Sequence, residues 1–133
     1  SALHRAIDGH QLGYLPPAVG RELAHATATL LRDRFGWSVP SSRVHPIADV
    51  IRGLELTIEH YTRAGSAVVV PTPAYMPFLT VPVAMGRRVV EVPHAVHEGR
   101  HTLDLLAIDE ALAAGAGLVV LCNPLNPGGR VFE

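Results

Sequence analysis

Three short apolar runs constrain this chain more than anything else in it: AVVV at 67–70, VVEV at 89–92 and LVVL at 118–121. They are rich in β-branched residues and mostly apolar on both sides, as strands covered on both faces should be. Helical patterns fill the gaps between them. Strand, helix, strand, helix, strand is the rhythm of an α/β fold with a mostly parallel sheet.

The helices are read from spacing. From Pro17 to Phe35, the residues Val19, Leu23, Ala26, Leu30 and Leu31 recur at helical intervals, with Pro17 suited to the start and Gly36 to the stop. A second helix is expected from about Ile47 to Arg63. Its inner stripe is Ile47, Val50, Ile51, Leu54, Ile58 and Tyr61, and Gly65 follows as a stop. The first strand should end at Val70, broken by Pro71 and Pro73. Residues 74–85 allow a helix, although Pro82 speaks against its later part. RRVVEVP is the second strand, 94–104 a loop or hairpin, Leu105 to Ala114 a helix ended by Gly115, and Gly117 to Pro124 the third strand.

Composition removes several function classes. The 133 residues suffice for one domain with a real core, and the formal charge is −1 with neutral histidines. No basic stripe invites nucleic acid, and 5% aromatic content is too sparse for a base-stacking platform. No apolar run reaches the length of a membrane span. Cys122 is the lone cysteine, which excludes a disulfide within the chain and fits a reducing, cytoplasmic setting. Its place in an apolar run suggests a small buried hydrophobe. All eleven basic residues are arginine. Chemistry that needs a lysine amine therefore cannot be completed by this polypeptide alone.

HEGRH at 97–101 fits the zinc-protease pattern H-E-x-x-H. That pattern works only on a helix, where two histidines one turn apart share a face. Here it follows a strand closed by Pro93, contains Gly99 and lies on no apolar stripe, so a solvated loop is expected. A zinc hydrolase built on His97, Glu98 and His101 is the unfavoured alternative.

Three other places can carry chemistry. LCNPLNPGGR runs a buried strand straight into two Asn-Pro steps, and ligands of open α/β sheets bind beyond strand carboxyl ends. Asn126 offers an amide there. PTPAYMPF places Tyr75 beyond another strand end, where an aromatic can stack on a planar ligand. HPIADV opens the second helix with free backbone N–H groups, a ready anion site. Asp49 is an awkward acid in that position, although it also favours a helix start. A non-catalytic α/β module holding a nucleotide or phosphate would suit the same features, but neither G-x-G-x-x-G nor G-x-x-x-x-G-K-[ST] is present.

In order and at this separation, TPAYMPF, GRRVVEVP and CNPLNPGGRVF resemble fold-type I pyridoxal-phosphate (PLP) enzymes. More narrowly, they resemble the class I/II aminotransferase superfamily in its MalY/PatB-like, cystathionine β-lyase-type branch. The resemblance implies a partial three-layer α/β/α large domain, with 1–16 as an N-terminal interface segment and 17–133 as the α/β portion. It implies a pyridoxal 5'-phosphate cofactor, an amino-acid substrate and a homodimer. Tyr75 matches the aromatic that stacks on the cofactor ring and Asn126 the asparagine at the ring hydroxyl. Ala48, Asp49 and Val50 match the phosphate-holding helix start. Tyr14 matches the tyrosine that reaches the neighbouring subunit's cofactor. The common NPHNPTG is here NPLNPGG, with Leu125 and Gly128 in place of histidine and threonine. The Schiff-base lysine has no counterpart, so no catalytic residue is assigned. The chain reads as a fragment of an aminotransferase or carbon–sulfur lyase, inactive by itself.

Overall fold

The computed structural model describes residues 1–9, 13–14 and 16–133; of the segment 1–16, His10, Gln11, Leu12 and Leu15 lie outside the described residues. The chain forms two compact units, Ser1–Ala48 and Asp49–Glu133.

The first unit is helical. α1 (Ala2–Asp8) is an element that apolar periodicity does not announce; its start is marked by the Ser1 hydroxyl, which accepts from the His4 N–H at 3.3 Å. α2 (Pro17–Phe35) begins and ends as expected, with Pro17 in its first turn and Gly36 left-handed at φ 66°. The expected inner stripe differs. Ala24 is the buried residue of α2, while Val19, Leu23 and Leu30 are exposed. Helical spacing identified the helix but not the face that this unit covers. A single 3-10 turn follows at Ser41–Arg43.

The second unit holds the sheet. α3 (Val50–Tyr61) starts three residues later than expected, because Asp49 is its N-cap: the carboxylate accepts the Arg52 N–H at 2.8 Å. Ile47, Val50 and Tyr61 are accordingly exposed, and the working stripe is Ile51, Leu54 and Ile58.

β1 (Val68–Thr72) is central, with β2 (Val89–Pro93) and β5 (Leu118–Val119) parallel on either side. Its Val68, Val69 and Val70 are at most 1% exposed, so both faces of the strand are covered. Leu54 and Ile58 of α3 and Phe78 of α4 (Pro77–Ala84) pack on Val68 and Val70. Val69 points the other way, and α5 (Leu105–Ala113) lies against β1 and β2. These layers form part of a three-layer α/β/α domain.

Pro71 does not end β1 as expected. The Val68 N–H bonds toward β2 (Arg88 carbonyl, 2.9 Å) and the Val69 carbonyl toward β5 (Val120 N–H, 2.9 Å), so alternation turns Pro71 toward β5. Its missing N–H costs nothing on the β2 side, where it pairs with Val92. The next rung toward β5 would need that N–H. This explains why β5 pairs only at Leu118 and Val119 instead of running to Pro124. Pro82 is likewise accommodated inside α4, fully buried, and the helix continues past it through the Met85 N–H to the Val81 carbonyl at 3.0 Å.

Residues 94–104 form a hairpin, β3 (Ala95–His97) against β4 (Arg100–Thr102), turning on Glu98 at φ 50° and Gly99 at φ 76°. Two successive positive φ values are the signature of a two-residue hairpin turn. His97 pairs with Arg100, and His101 with Val96. Strand alternation therefore sends His97 and His101 to opposite faces of the ribbon, and the zinc-hydrolase geometry is not formed.

Candidate functional site

Adjacent parallel strands end on the same side, so the segments leaving β1 and β5 emerge together. β1 hands over to Tyr75 and β5 to the turn that carries Asn126. α3 runs the opposite way. Arg87, just before β2, donates to the Ile58 carbonyl at 3.2 Å and the Arg63 carbonyl at 2.6 Å, tying the C-terminus of α3 to the strands' amino ends. The N-terminus of α3 thereby comes to the strands' carboxyl ends.

Three segments distant in sequence thus border one cleft of about 300 Å³. Asp49, Val50 and Ile51 contribute from α3, Tyr75 and Phe78 from the start of α4, and Cys122 and Asn126 from beyond β5. Four residues singled out from the sequence, Tyr75, Asn126, Asp49 and Val50, are brought together. Ala48 and Tyr14 belong to the first unit, where both are exposed. A larger hollow of about 620 Å³ lies within that unit, between α2 and Ser41–Pro46, but of the motifs it carries only His45 and Pro46 and none of the candidate cofactor-holding residues. Size alone does not mark a site; convergent polar groups do.

The cleft has three kinds of wall. Tyr75 is braced edge-on by the buried Phe78 ring, with centroids 5.5 Å apart and planes at 85°, yet it stays 43% exposed. A braced but accessible aromatic can accept a planar ligand against it. At α3, the Arg52 N–H is taken by Asp49, while the N–H groups of Val50 and Ile51 precede the first bond inside the helix and remain available to an anion. On the third side stands the Asn126 amide.

The turn that presents Asn126 is closed by its own chain. Asn123 uses both ends of its amide on Phe132, donating to the carbonyl at 3.1 Å and accepting from the N–H at 2.9 Å. The Leu125 N–H donates to the Arg130 carbonyl at 2.6 Å, and the Gly129 N–H to the Leu125 carbonyl at 2.6 Å. The two asparagines of CNPLNP therefore differ in role: Asn123 holds the loop and Asn126 faces the cleft.

Sequence reasoning missed Ile51, Phe78 and Cys122. Phe78 stands three residues after Tyr75, the separation at which side chains meet on a helical turn, so its bracing role was open to inference. Cys122 is half-buried, packs on the core as a small hydrophobe and also reaches the cleft, its thiol 3.4 Å from the Pro124 carbonyl.

An α/β sheet with an aromatic, an amide and a helix start converging beyond its strand ends defines a class of small-ligand sites. The comparisons narrow it. The model of the aminotransferase class I and II family matches residues 2–133, and the chain belongs to that family. A cystathionine beta-lyase of Corynebacterium glutamicum is 41% identical over 132 residues, which are 99% of this chain and 34% of that protein. A histidinol-phosphate aminotransferase of Symbiobacterium thermophilum is 39% identical over 110 residues, covering 80% of this chain and 29% of its own length. Among solved structures, a PLP-dependent beta-cystathionase from Corynebacterium diphtheriae superposes with a TM-score of 0.85 at 38% identity, over 99% of this chain and 33% of that one. The chain therefore spans about a third of the length of the relatives it matches. No helix among the described residues is long and apolar enough to cross a membrane.

Proposed function

We propose that this chain is the cofactor-cradling part of a PLP-dependent enzyme acting on amino acids, a carbon–sulfur β-lyase or an aminotransferase. The observation that carries the reading is the shared cleft of Tyr75, Asn126 and the start of α3. Its donor set suits pyridoxal 5'-phosphate: an aromatic face for a flat ring, an amide for a ring oxygen and free helical N–H groups for a phosphate. Asp49 is the one group of the wrong sign, and its carboxylate is already engaged by the Arg52 N–H.

When bound, the cofactor withdraws electrons from the α-carbon of an amino acid. The chain's own residues would hold and orient it. Tyr75 would stack on the ring, Asn126 would donate to the ring hydroxyl oxygen, and the N–H groups of Val50 and Ile51 would take the phosphate. Ile51, Phe78 and Cys122 would keep water from that side of the ring. We place Tyr14 at the cofactor of a second copy, in a homodimer. The amine that anchors the cofactor must come from outside these residues, which contain no lysine.

The test is titration of the purified chain with pyridoxal 5'-phosphate, followed by absorbance and by quenching of tyrosine emission. Saturable binding that weakens in Tyr75→Ala and in Asn126→Ala is expected. No keto acid should form from added amino acids beyond the free-cofactor background. Binding that ignores both substitutions refutes the assignment of the cleft.

A further inference from the structure

Two adjacent glycines in the Asn126 turn exist for different reasons. Gly129 has φ +66°, a conformation that side chains disfavour, and open space where a Cβ would go. Gly128 lies outside that left-handed region, so its backbone would accept alanine, but the space is taken. A Cβ on residue 128 would sit 2.6 Å from Leu125 Cδ2 and 3.2 Å from Leu125 Cγ, with His101 Cδ2 behind at 3.8 Å. Leu125 is 4% exposed, the only fully buried residue between 121 and 133. It cannot swing into solvent without giving up that burial.

Leu125 is also the hinge of the turn. Its N–H and its carbonyl are both bonded across the loop, to Arg130 and Gly129. Asn126 is the next residue along the chain. A displacement of Leu125 is thus passed directly to Asn126, which is itself exposed and lines the cleft.

We infer that Leu125 and Gly128 are interlocked positioning residues: the leucine side chain occupies the room that the glycine leaves empty, and this contact sets where the Asn126 amide stands in the cleft. The functional consequence rests on the cleft being a pyridoxal-phosphate site; the interlock does not. Residue 128 must lack a Cβ for as long as residue 125 is leucine, and the requirement lapses when residue 125 is made small.

The experiment is a double-mutant cycle on the chain with Gly128→Ala, Leu125→Ala and both together, plus Gly129→Ala as a control. The positional readout is the pair of Asn126 side-chain amide resonances, assigned by comparison with Asn126→Asp. The functional readout is the dissociation constant for pyridoxal 5'-phosphate. Gly128→Ala should shift the Asn126 resonances and weaken binding about tenfold, a coupling of the size found between touching residues. Leu125→Ala/Gly128→Ala should return both readouts to those of Leu125→Ala alone. Gly129→Ala, strained by its backbone, should not be rescued by Leu125→Ala. If Gly128→Ala does not fold, the double variant decides: folded with Asn126 resonances like those of Leu125→Ala supports the interlock, unfolded overturns it. Unmoved Asn126 resonances in a folded Gly128→Ala also overturn it. Absence of cofactor binding by the unmodified chain would count against the proposed function and leave the resonance test of the interlock intact.

Discussion

Asp49 stands at a conflict that two substitutions separate. Its carboxylate caps α3 by accepting the Arg52 N–H at 2.8 Å, and it lines the cleft in which a phosphate is proposed. Asp49→Ala removes cap and charge together; Asp49→Asn removes the charge and keeps a side-chain oxygen able to cap. Losing an N-cap costs about 1 kcal/mol, while exchange among Asp and Asn costs a few tenths at most. With a urea slope of about 1–3 kcal/mol/M, Asp49→Ala should lower the unfolding midpoint by roughly 0.3–1 M and Asp49→Asn should leave it nearly unchanged. Two like unit charges about 4 Å apart in water repel by about 1 kcal/mol, so removing this one should tighten a nearby anionic ligand by up to roughly fivefold. Asp49→Asn is therefore expected to bind pyridoxal 5'-phosphate more tightly than the parent chain at low salt, with the difference shrinking as salt rises. Asp49→Ala should gain less, because α3's first turn loses its clamp. Urea denaturation followed by circular dichroism gives the stabilities, and absorbance titration the affinities. Weaker binding by Asp49→Asn would refute the placement of the phosphate at this helix start. An unchanged midpoint in Asp49→Ala would refute the cap.

Two further expectations concern the hairpin and its surroundings. His94 packs against His101 and Phe132, with ring centroids 5.5 and 5.7 Å away, and neither of its ring nitrogens has a partner. Burial first, and His101 second, hold its pKa below the ordinary value of 6.5. The folded state then binds fewer protons than the unfolded one, so this contribution is present above about pH 6.5 and is lost as pH falls through the depressed folded value. Arg100, Arg130 and Glu133 are the charged neighbours of this corner. Urea midpoints should drop between pH 7.5 and pH 5.5, and His94→Phe should flatten that drop; an equally steep fall in the variant would disprove the origin. Glu98 holds φ 50° at the hairpin tip, where glycine or asparagine is at ease. Glu98→Gly should raise stability by about 0.5–1 kcal/mol, read as a higher urea midpoint, and a lower one would show that the Glu98 side chain makes a compensating contact.

The parts of this fold that short-range chemistry dictates could be read from the chain, and the parts set by neighbours could not. Runs of valine gave the three strands because a strand covered on both faces has few other solutions, and Gly36 marked the end of α2 because it adopts the left-handed conformation there. Pro71 was misjudged for a reason outside its own segment. A proline is excluded from a central strand only where its N–H is wanted, and which side wants it depends on register with β2 and β5. The start of α3 was missed because the aspartate at 49 was weighed as a charge when its main work is to cap. The exposed stripe of α2 shows the same limit, since spacing defines a face without saying what covers it. Residue types and their place beyond strand ends pointed to Tyr75 and Asn126 as candidates, and the fold brings both to one cleft because parallel neighbours deliver their carboxyl ends to one edge. The steric reason for Gly128 was out of reach, since a glycine in a Pro/Gly turn looks like a demand for backbone freedom. Only the position of the Leu125 side chain shows that the demand is for room. A turn motif can therefore be recognised from its residue types while the side-chain contact packed inside it stays hidden until the structure is seen.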